Sequence, residues 1–434
     1  MKSVKINPMT LEGEINIPPS KSMSHRAIIC ASLSRGESLI HNISYSDDII
    51  ATIEGMKALG VEVLEEILDQ DTGTYSLRIK GVEEFKLQSD SVNCKESGST
   101  IRFLIPILML AGEKFNITGE GRLVERPLDT YYRIFDQQGI KYANTGGILP
   151  LEIEGCLKPG TFSIEGNISS QFITGLLFTL PLLDGDSRIV VTESELESKG
   201  YVDLTIDILR KFGIEIENRD YKEFFIKGNQ SYVSREYKVE GDYSQGAFWI
   251  VAGLLDGKIV CNDLEKSSLQ GDKEVVEIVE RMGGNISVSE DSITVEKSET
   301  RGTVIDASQC PDIIPVLSVL AALSEGETRV INGKRLRIKE SDRITSTRTE
   351  LEKLGADIRE EGDGLVIVGK PMLEGGAVLD SWNDHRIAMA MGVASIRCKK
   401  PVEITNSGSV SKSYPHFWED FKKLGGVVDE RNMG

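Results

Sequence analysis

One pattern recurs six times along the 434-residue chain and limits how it can fold. In each copy a helix-like segment ends in a glycine, and a strand-like run follows, as in Lys211-Phe212-Gly213-Ile214. A glycine in this place is typical of the left-handed residue that closes a helix. A near-constant spacing indicates an internal repeat. The six glycines lie 70 to 79 residues apart: Gly60, Gly139, Gly213, Gly283, Gly355 and Gly425.

Each repeat mixes helical periodicity with the alternating pattern of strands, which predicts an α/β (α+β) fold. The alternation is clear in Leu151-Glu152-Ile153, and the helix from Leu204 shows the spacing of an amphipathic helix. Five copies also carry an aspartate where the helix before the glycine is expected to begin. A carboxylate there caps unpaired backbone N–H groups and suits the helix dipole. These aspartates are Asp48, Asp129, Asp203, Asp272 and Asp342.

Composition excludes several classes of protein. The formal net charge is −18, whereas nucleic acids and anionic membranes require a basic surface. The six cysteines are scattered without a Cys-x-x-Cys pair, so the sequence predicts neither a disulfide framework nor a zinc site. No Walker loop and no Gly-x-Gly-x-x-Gly motif is present, and the start of the chain has no signal pattern. We therefore expect a cytoplasmic protein without cofactor or metal. We also expect it to be a monomer.

The stretch Pro19 to Arg26 has the features of an anion site at the start of a helix. Two prolines end an extended run, three serines follow with Lys21 and Arg26, and an apolar helical run comes next. Unpaired N–H groups and the dipole at a helix start favour negative charge, and the two cations and the hydroxyl groups reinforce this. A capped surface helix with two solvated cations would show the same eight residues.

Similar clusters recur along the chain, each placing hydroxyl groups, cations or a carboxylate beside an apolar helix-like run or a turn. Taken singly, most of these clusters could also be explained without a function, for example as a solvated helix start. Together they place donors and cations at helix starts in most of the repeats. The clusters are Ser97–Arg102, Gly119–Arg122, Glu125–Pro127, Ser169–Gln171, Ser198–Tyr201, Cys310–Asp312, Lys339–Arg343, Asn383–Arg386 and Ser411–Ser413.

These motifs, in this order, resemble those of the 5-enolpyruvylshikimate-3-phosphate (EPSP) synthase family. The resemblance runs from Ile15 to about Trp418 and rests on Pro-Ser-Lys-Ser-x-Ser-x-Arg, Ser-Gly-x-Thr-x-Arg, Glu-Arg-Pro, Ser-Ser-Gln-Phe, Lys-Glu-Ser-Asp-Arg and Asn-Asp-His-Arg-x-Ala-Met. It implies two inside-out domains, each of three βαβαββ repeats with helices inside and sheets outside. The first domain would comprise residues 1–19 with 238–434, and the second residues 20–237.

The resemblance also implies the substrates and the residues that bind them. The family transfers the enolpyruvyl group of phosphoenolpyruvate to the 5-hydroxyl of shikimate 3-phosphate, a step of aromatic amino acid biosynthesis. Shikimate 3-phosphate would contact Lys21, Ser22, Arg26, Ser169, Ser170, Gln171, Ser198, Tyr201, Asp312 and Lys339. Phosphoenolpyruvate would contact Lys21, Gly98, Arg122, Gln171, Arg343, Arg386 and Lys412. The planar fork of arginine suits such anions because it binds carboxylate or phosphate with two parallel hydrogen bonds.

The reaction is an addition followed by an elimination, so it needs a base and a proton donor. Asp312 is the candidate base, and Glu340 and Lys21 are the candidates for proton delivery to the methylene carbon. The resemblance places Gly98 against phosphoenolpyruvate and the inhibitor glyphosate. Arg335 departs from the family, which often has Asn there, so the ring contact expected at that position is not carried over.

Two other functions fit parts of the sequence. The related enolpyruvyl transferase that acts on UDP-N-acetylglucosamine has Asn after the motif lysine and a cysteine in a long loop. This chain has Ser22 after Lys21, and its Cys94 precedes the Gly98 turn. The alternative of a non-catalytic anion-binding protein of the same fold is disfavoured by the presence of Lys21, Asp312, Glu340 and Arg386.

Overall fold

The structure is a computed structural model that describes residues 2–70 and 72–432. The chain folds as two compact units. The split unit comprises the residues up to Ser20 together with those from Glu240 onward, and the continuous unit runs from Lys21 to Val239. These boundaries lie one to two residues beyond those expected from the sequence. The second shift arises because a strand continues to Lys238, and the amide of Val239 then donates to the His41 carbonyl at 3.1 Å.

The described residues form α-helices in both units. The α-helices are α1 (Lys21–Leu33), α2 (Asp47–Lys57), α3 (Gly98–Leu108), α4 (Asp129–Gln138), α5 (Gln171–Thr179), α6 (Lys199–Lys211), α7 (Tyr243–Leu255), α8 (Glu274–Arg281), α9 (Ile314–Ala322), α10 (Arg343–Lys353), α11 (His385–Ala394) and α12 (Phe417–Lys423).

The strands are short and are distributed along the whole chain. They are β1 (Lys2–Asn7), β2 (Leu11–Asn16), β3 (Ser34–Arg35), β4 (Glu37–Ile43), β5 (Glu62–Leu68), β6 (Tyr75–Lys80), β7 (Ser91–Asn93), β8 (Lys114–Thr118), β9 (Lys141–Thr145), β10 (Ile148–Glu154), β11 (Thr161–Glu165), β12 (Ser187–Thr192), β13 (Ile216–Arg219), β14 (Glu223–Ile226), β15 (Tyr232–Val233), β16 (Glu236–Lys238), β17 (Gly257–Asn262), β18 (Asn285–Val288), β19 (Ser292–Glu296), β20 (Val304–Asp306), β21 (Glu327–Ile331), β22 (Asp357–Glu361), β23 (Gly364–Val368), β24 (Leu373–Gly375), β25 (Val378–Asp380), β26 (Cys398–Lys400), β27 (Val402–Thr405) and β28 (Val427–Asn432).

Among the described residues, each unit contains three four-stranded sheets, and these six sheets share one pairing pattern. In the sheet β7-β8-β10-β9 the first pair is parallel and the other two pairs are antiparallel. The elements β7, α3, β8, α4, β9 and β10 follow one another along the chain, so this sheet closes one complete βαβαββ repeat. The sequence period therefore corresponds to a structural repeat.

One repeat of the continuous unit and two repeats of the split unit are assembled from distant parts of the chain. In the continuous unit, β16 near residue 237 supplies the strand that pairs in parallel with β4. In the split unit, β1 lies between β27 and β28, and β2 pairs in parallel with β17. The opening strands are therefore integral parts of the split unit.

Six helices form the centres of the units because, apart from a few polar or charged side chains near their starts, their residues are apolar or small on every face. Every residue of α7, α9 and α11 is buried in the split unit, and α1, α3 and α5 are almost wholly buried in the continuous unit. The alternate helices are amphipathic: Val275, Val276, Ile278 and Val279 are the buried residues of α8. A helix that is apolar all round belongs in a core, whereas one apolar stripe suits a helix at its margin.

The glycine prediction is confirmed at all six positions, where φ lies between 69° and 99°. The aspartate prediction is confirmed at Asp342, whose carboxylate caps α10 by accepting from the Thr345 amide at 3.1 Å. It is wrong at Asp203, because α6 begins four residues earlier and Asp203 instead accepts from the Tyr221 hydroxyl. Within the described residues, no helix is both long and apolar enough to span a membrane.

Candidate active site

The polar clusters singled out in the sequence lie at or beside the first turns of the buried helices. Lys21, Gly98 and Gln171 are the first residues of α1, α3 and α5 in the continuous unit. In the split unit, Asp312 lies two residues before α9, and Arg386 is the second residue of α11. Helix starts offer unpaired N–H groups and the positive end of the dipole, so each unit has the framework of an anion site.

In the continuous unit, Lys21 forms an ion pair with a carboxylate at the start of α2. Its Nζ lies 2.7 Å from Asp48 Oδ2, and the two side chains are 15% and 10% exposed. Asp48 is the second residue of α2, so the pair joins the starts of α1 and α2. The geometry holds the ammonium in one place and neutralises it in part.

Arg26 is buried and its guanidinium makes three hydrogen bonds with the protein. Nη1 donates to the Ser22 carbonyl at 2.7 Å, Nη2 to the Tyr201 carbonyl at 3.0 Å, and Nε to Thr205 Oγ1 at 2.9 Å. Burial lowers the pKa of Arg26 to about 10, which still leaves it charged at neutral pH. Three of the five N–H groups are used in this way, which fixes the orientation of the guanidinium.

A chain of hydroxyl groups joins α1, α2 and α3 behind these residues. His25 Nδ1 lies 2.7 Å from Thr52 Oγ1, which lies 2.7 Å from Thr100 Oγ1. Thr100 in turn donates to Ser97 Oγ at 2.7 Å, next to Gly98. Burial, with Lys21 and Arg26 nearby, holds the pKa of His25 well below its usual value, so the imidazole is neutral.

Gln171 and Gly98 belong to a second group at the starts of α3 and α5. The Gln171 amide donates to Ser99 Oγ at 2.9 Å and accepts from Arg102 Nη1 at 3.3 Å. A Cβ atom at Gly98 would lie 2.7 Å from Arg126 Cζ, so the guanidinium of Arg126 occupies the space beside this glycine. A ligand that contacts Gly98 would therefore also be close to a cation.

The remaining predicted residues of the continuous unit differ in exposure. Ser170 and Ser198 are buried, and Ser198 has a φ of 55° directly before α6. Ser169 is half-buried, and its hydroxyl accepts a hydrogen bond from the backbone N–H of Gln171 at 3.4 Å. Arg122 is exposed, on the 3₁₀ turn Gly121–Glu125, and the described contacts do not connect it to the groups above.

In the split unit, Asp312 is held by two cations. Its Oδ1 lies 3.2 Å from Lys339 Nζ and 2.6 Å from Arg343 Nη1. Burial alone would raise the pKa of Asp312, but Lys339, Arg343 and Arg386 outweigh that effect and hold the pKa well below its usual value. Asp312 is therefore an ionised carboxylate in a field of positive charge.

The same surroundings lower the pKa of Lys339. Burial lowers the pKa of Lys339, and the charges of Arg343 and Arg335 lower it further, whereas Asp312 opposes the shift. Arg335, the residue that departs from the family, thus acts on Lys339 through its charge.

Arg343 joins three carboxylates although its side chain is only 1% exposed. Besides Asp312, it donates to Glu340 Oε2 at 2.8 Å and to Asp384 Oδ2 at 2.9 Å. Burial alone would lower the pKa of Arg343, but the three carboxylates raise it well above its usual value, so its charge is secure. The structure thus brings Asp312, Lys339, Glu340 and Arg343 into one hydrogen-bonded group.

Arg386 and Lys412 lie beside Asp384. The Asp384 carboxylate caps α11 by accepting from the Arg386 amide at 2.9 Å, and the Arg386 guanidinium donates to the Ser244 carbonyl at 2.9 Å and to Ser244 Oγ at 2.7 Å. Lys412 donates to the Asn383 carbonyl at 2.6 Å. Both cations are buried; Ser244 on α7 orients Arg386, and the Asn383 carbonyl next to Asp384 orients Lys412.

The sequence analysis missed the start of α7. Asp242 caps this helix by accepting from the amides of Ser244 and Gln245, and Ser244 holds Arg386. The signal was present: Gly241-Asp242 precedes the apolar run Tyr243–Leu255, as the polar clusters precede the other buried helices. Completing the pattern across all six repeats would have predicted Asp242 and Ser244.

Comparisons with known proteins show the family to which the chain belongs. A family model described as EPSP synthase (3-phosphoshikimate 1-carboxyvinyltransferase) matches residues 6–421. The chain belongs to the EPSP synthase family. It is 58% identical to the 3-phosphoshikimate 1-carboxyvinyltransferase of Clostridium novyi and 56% identical to that of Clostridium acetobutylicum, with 100% of each chain covered in both cases.

The fold also has solved counterparts. An EPSP synthase structure from Acinetobacter baumannii matches with a TM-score of 0.82 at 24% identity, covering 100% of both chains. A second structure from the same organism gives a TM-score of 0.81 at 22% identity, covering 99% of both. At this identity the likeness concerns the fold. The comparisons confirm the family, the α/β fold class and the enzyme class that the motifs predicted.

Proposed function

We propose that this member of the EPSP synthase family transfers the enolpyruvyl group of phosphoenolpyruvate to shikimate 3-phosphate through the groups described above. In the addition, the 5-hydroxyl loses its proton, its oxygen bonds to the carbon that bears the phosphate, and the methylene carbon gains a proton. In the elimination, the new methyl group loses a proton and phosphate leaves. Both substrates are anions, which fits the buried cations in each unit.

The proposed assignment of residues to substrates follows the sequence motifs. Shikimate 3-phosphate is assigned Lys21, Ser22, Arg26, Ser169, Ser170, Gln171, Ser198, Tyr201, Asp312 and Lys339. Phosphoenolpyruvate is assigned Lys21, Gly98, Arg122, Gln171, Arg343, Arg386 and Lys412. The fixed orientations of Arg26, Arg343 and Arg386 support this assignment, because a guanidinium held in place binds an anion without further ordering.

Asp312 is proposed as the base that accepts the hydroxyl proton. It is ionised at neutral pH, as a base must be, but a carboxylate with a low pKa is a weak base. When anionic substrates bind Lys339 and Arg343, their negative charge offsets the field on Asp312. We therefore expect Asp312 to become more basic in the complex.

Glu340 and Lys21 are proposed to deliver the proton to the methylene carbon, and Lys21 also to offset charge on the departing phosphate. Glu340 is 16% exposed and is held by Arg343, while Lys21 is held by Asp48. Both groups are thus fixed in position without being sealed from a ligand.

The observation that best supports this function is the ionised Asp312 between Lys339 and Arg343, in a family of carboxyvinyltransferases. The test is phosphate release from phosphoenolpyruvate with shikimate 3-phosphate, and in parallel with UDP-N-acetylglucosamine, as acceptor. We expect phosphate release with shikimate 3-phosphate as acceptor and none with UDP-N-acetylglucosamine. Release only with the nucleotide sugar, or with neither acceptor, would contradict the proposal.

The protein is further proposed to act as a cytoplasmic monomer without nucleic-acid or membrane partners. The net charge of −18 supports the absence of polyanionic partners, since these need a basic surface. Light scattering of the purified protein during gel filtration tests the monomer, for which a mass of 47.8 kDa is expected.

A further inference from the structure

A buried carboxylate with no assigned role lies on α10, the helix that begins with Arg343. Glu350 has a side chain that is only 1% exposed, and it accepts hydrogen bonds from three different residues. The donors are Lys353 Nζ at 2.8 and 2.9 Å, the Asp380 amide at 3.0 Å and the Trp382 indole Nε1 at 2.8 Å. Residues seven apart lie on the same face of a helix, so Glu350 and Arg343 share a face of α10.

Two of these donors are the last residue of β25, Asp380, and a residue of the strained turn that leads from β25 to α11, Trp382. Trp382 and Asn383 have φ values of 55° and 53°, in the left-handed region that bulky residues rarely adopt. Such a conformation persists only where the surroundings impose it. Here Asp380 Oδ1 accepts from the Trp382 amide at 2.8 Å and Ser381 Oγ from the Asn383 amide at 3.2 Å, and Glu350 holds the indole from outside the turn.

The turn leads directly into the groups assigned to phosphoenolpyruvate. Its Asn383 carbonyl accepts from Lys412 at 2.6 Å. The next residue, Asp384, binds Arg343 at 2.9 Å and caps α11 at the Arg386 amide. The backbone path through Trp382 and Asn383 therefore sets where these three cations lie.

We propose that Glu350 is a positioning residue for phosphoenolpyruvate binding. It ties the strained turn to α10, so that the turn and Arg343 keep one relative arrangement. Without the Glu350 contacts, the turn can relax towards ordinary φ values, and the Asn383 carbonyl and Asp384 move with it. This inference rests on the proposed assignment of Arg343, Arg386 and Lys412 to phosphoenolpyruvate.

Two variants remove the link in different ways. Glu350→Gln replaces one acceptor oxygen by an amide donor, so the Asp380 amide and the Trp382 indole can no longer both be satisfied. Trp382→Phe keeps an aromatic ring at this position but loses the indole N–H together with the five-membered ring that carries it. We expect each variant to raise the KM for phosphoenolpyruvate about tenfold, the loss typical of a hydrogen bond to a charged group. The KM for shikimate 3-phosphate should stay within about twofold of the wild-type value, because the hydrogen bonds described for the turn and Asp384 lead to Lys412, Arg343 and Arg386, all assigned to phosphoenolpyruvate.

Lys353→Met is the matched control. It removes the ion pair of Glu350 but leaves the bonds to Asp380 and Trp382, and Lys353 is 40% exposed. Both KM values should remain at the wild-type level in this variant. Wild-type turnover is established first in the phosphate-release assay, so a result in the variants concerns Glu350 and not the reaction itself.

Tryptophan emission gives a second readout. Trp382 is 37% exposed, whereas Trp249 and Trp418 are buried, so quenching by acrylamide reports mainly on Trp382. Quenching should increase in Glu350→Gln and remain unchanged in Lys353→Met. Equal increases of both KM values, or unchanged KM values together with a lower melting temperature, would overturn the proposal. If Glu350→Gln does not fold, the KM values of Trp382→Phe decide the question.

Discussion

At the scale of single residues, Asp312 is both accessible to a ligand and tightly bound by the protein, two properties that usually oppose each other. Its side chain is 22% exposed and within reach of a ligand, yet its carboxylate is bound by Lys339 and Arg343. The two cations keep Asp312 ionised, and they are also proposed to bind the anionic substrates. The proposed base and the proposed anion-binding groups are therefore electrically coupled, so an anion bound to Lys339 or Arg343 would raise the pKa of Asp312.

This coupling leads to a prediction for Asp312→Asn. We expect kcat to fall by roughly a hundredfold to ten-thousandfold, the usual range for a positioned base. Steady-state phosphate release measures the loss, and Asp357→Asn, at an exposed position of β22, is the control that should keep wild-type activity. A kcat within about threefold of the wild-type value would exclude Asp312 as the base.

The pH dependence of the wild-type enzyme tests the same residue. The pKa of Asp312 is depressed in the unliganded protein, so the active ionised form is lost only as the pH falls through a value well below the usual one. The profile of kcat/KM reports on the unliganded enzyme. It should show no acid limb from Asp312 above about pH 5, where even an ordinary aspartate is ionised. If the wild-type profile has an acid limb above about pH 5 and the Asp312→Asn profile does not, the lowered pKa of Asp312 is contradicted.

Gly98→Ala is predicted to separate inhibition from catalysis. The added Cβ would collide with the Arg126 guanidinium, the far end of a flexible side chain, so the fold should adjust. The methyl group would then occupy space beside the proposed phosphoenolpyruvate site. Glyphosate inhibition should weaken by a larger factor than the KM for phosphoenolpyruvate rises, as measured by inhibition kinetics. Equal factors would refute the prediction.

At the scale of elements, α5 packs so closely on α3 that one position tolerates only glycine. A Cβ atom at Gly175 would lie 2.6 Å from the Tyr131 hydroxyl and closer still to the Arg102 carbonyl. Tyr131 also donates a hydrogen bond to that carbonyl. The close approach therefore sets the separation of the two helices that carry Gly98 and Gln171.

Gly175→Ala should lower the free energy of unfolding by about 1–3 kcal/mol, the usual cost of overpacking a core. Urea denaturation measures the change. Gly160→Ala is the matched control, because a Cβ atom there meets open space and the stability should hardly change. A stability loss in the control equal to that in Gly175→Ala would show that the effect does not come from helix packing.

The elements also show which features of the fold can be predicted from sequence. The six glycines were found because a helix end is encoded locally, by the residue that must adopt a positive φ. The family resemblance assigned β1 to the split unit, but its pairing partners were not predicted, because Ser3 pairs with Thr405 and no local signal connects them. The same holds for the site. The polar clusters at helix starts could be predicted from local sequence, whereas the pairing of Lys21 with Asp48 and of Arg386 with Ser244 depends on tertiary contacts.

At the scale of the whole molecule, the two units differ in how the chain builds them. The continuous unit contains its three sheets and its core within residues 21–239. The split unit needs β1 and β2 from the start of the chain, and β1 is an inner strand between β27 and β28. A fragment that begins at Glu240 therefore lacks one inner and one edge strand.

This difference predicts how fragments of the chain behave. Residues 20–240 alone should unfold cooperatively in urea, whereas residues 240–434 alone should not, because an inner strand cannot be omitted from a sheet without exposing its neighbours. Joining the end of that fragment to residues 1–20 should restore folding, because Lys2 and Asn432 are paired and a short linker suffices. The rejoined chain keeps Asp312, Lys339 and Arg343 as a group. A fragment 240–434 that folds without β1 would contradict this account of the split unit.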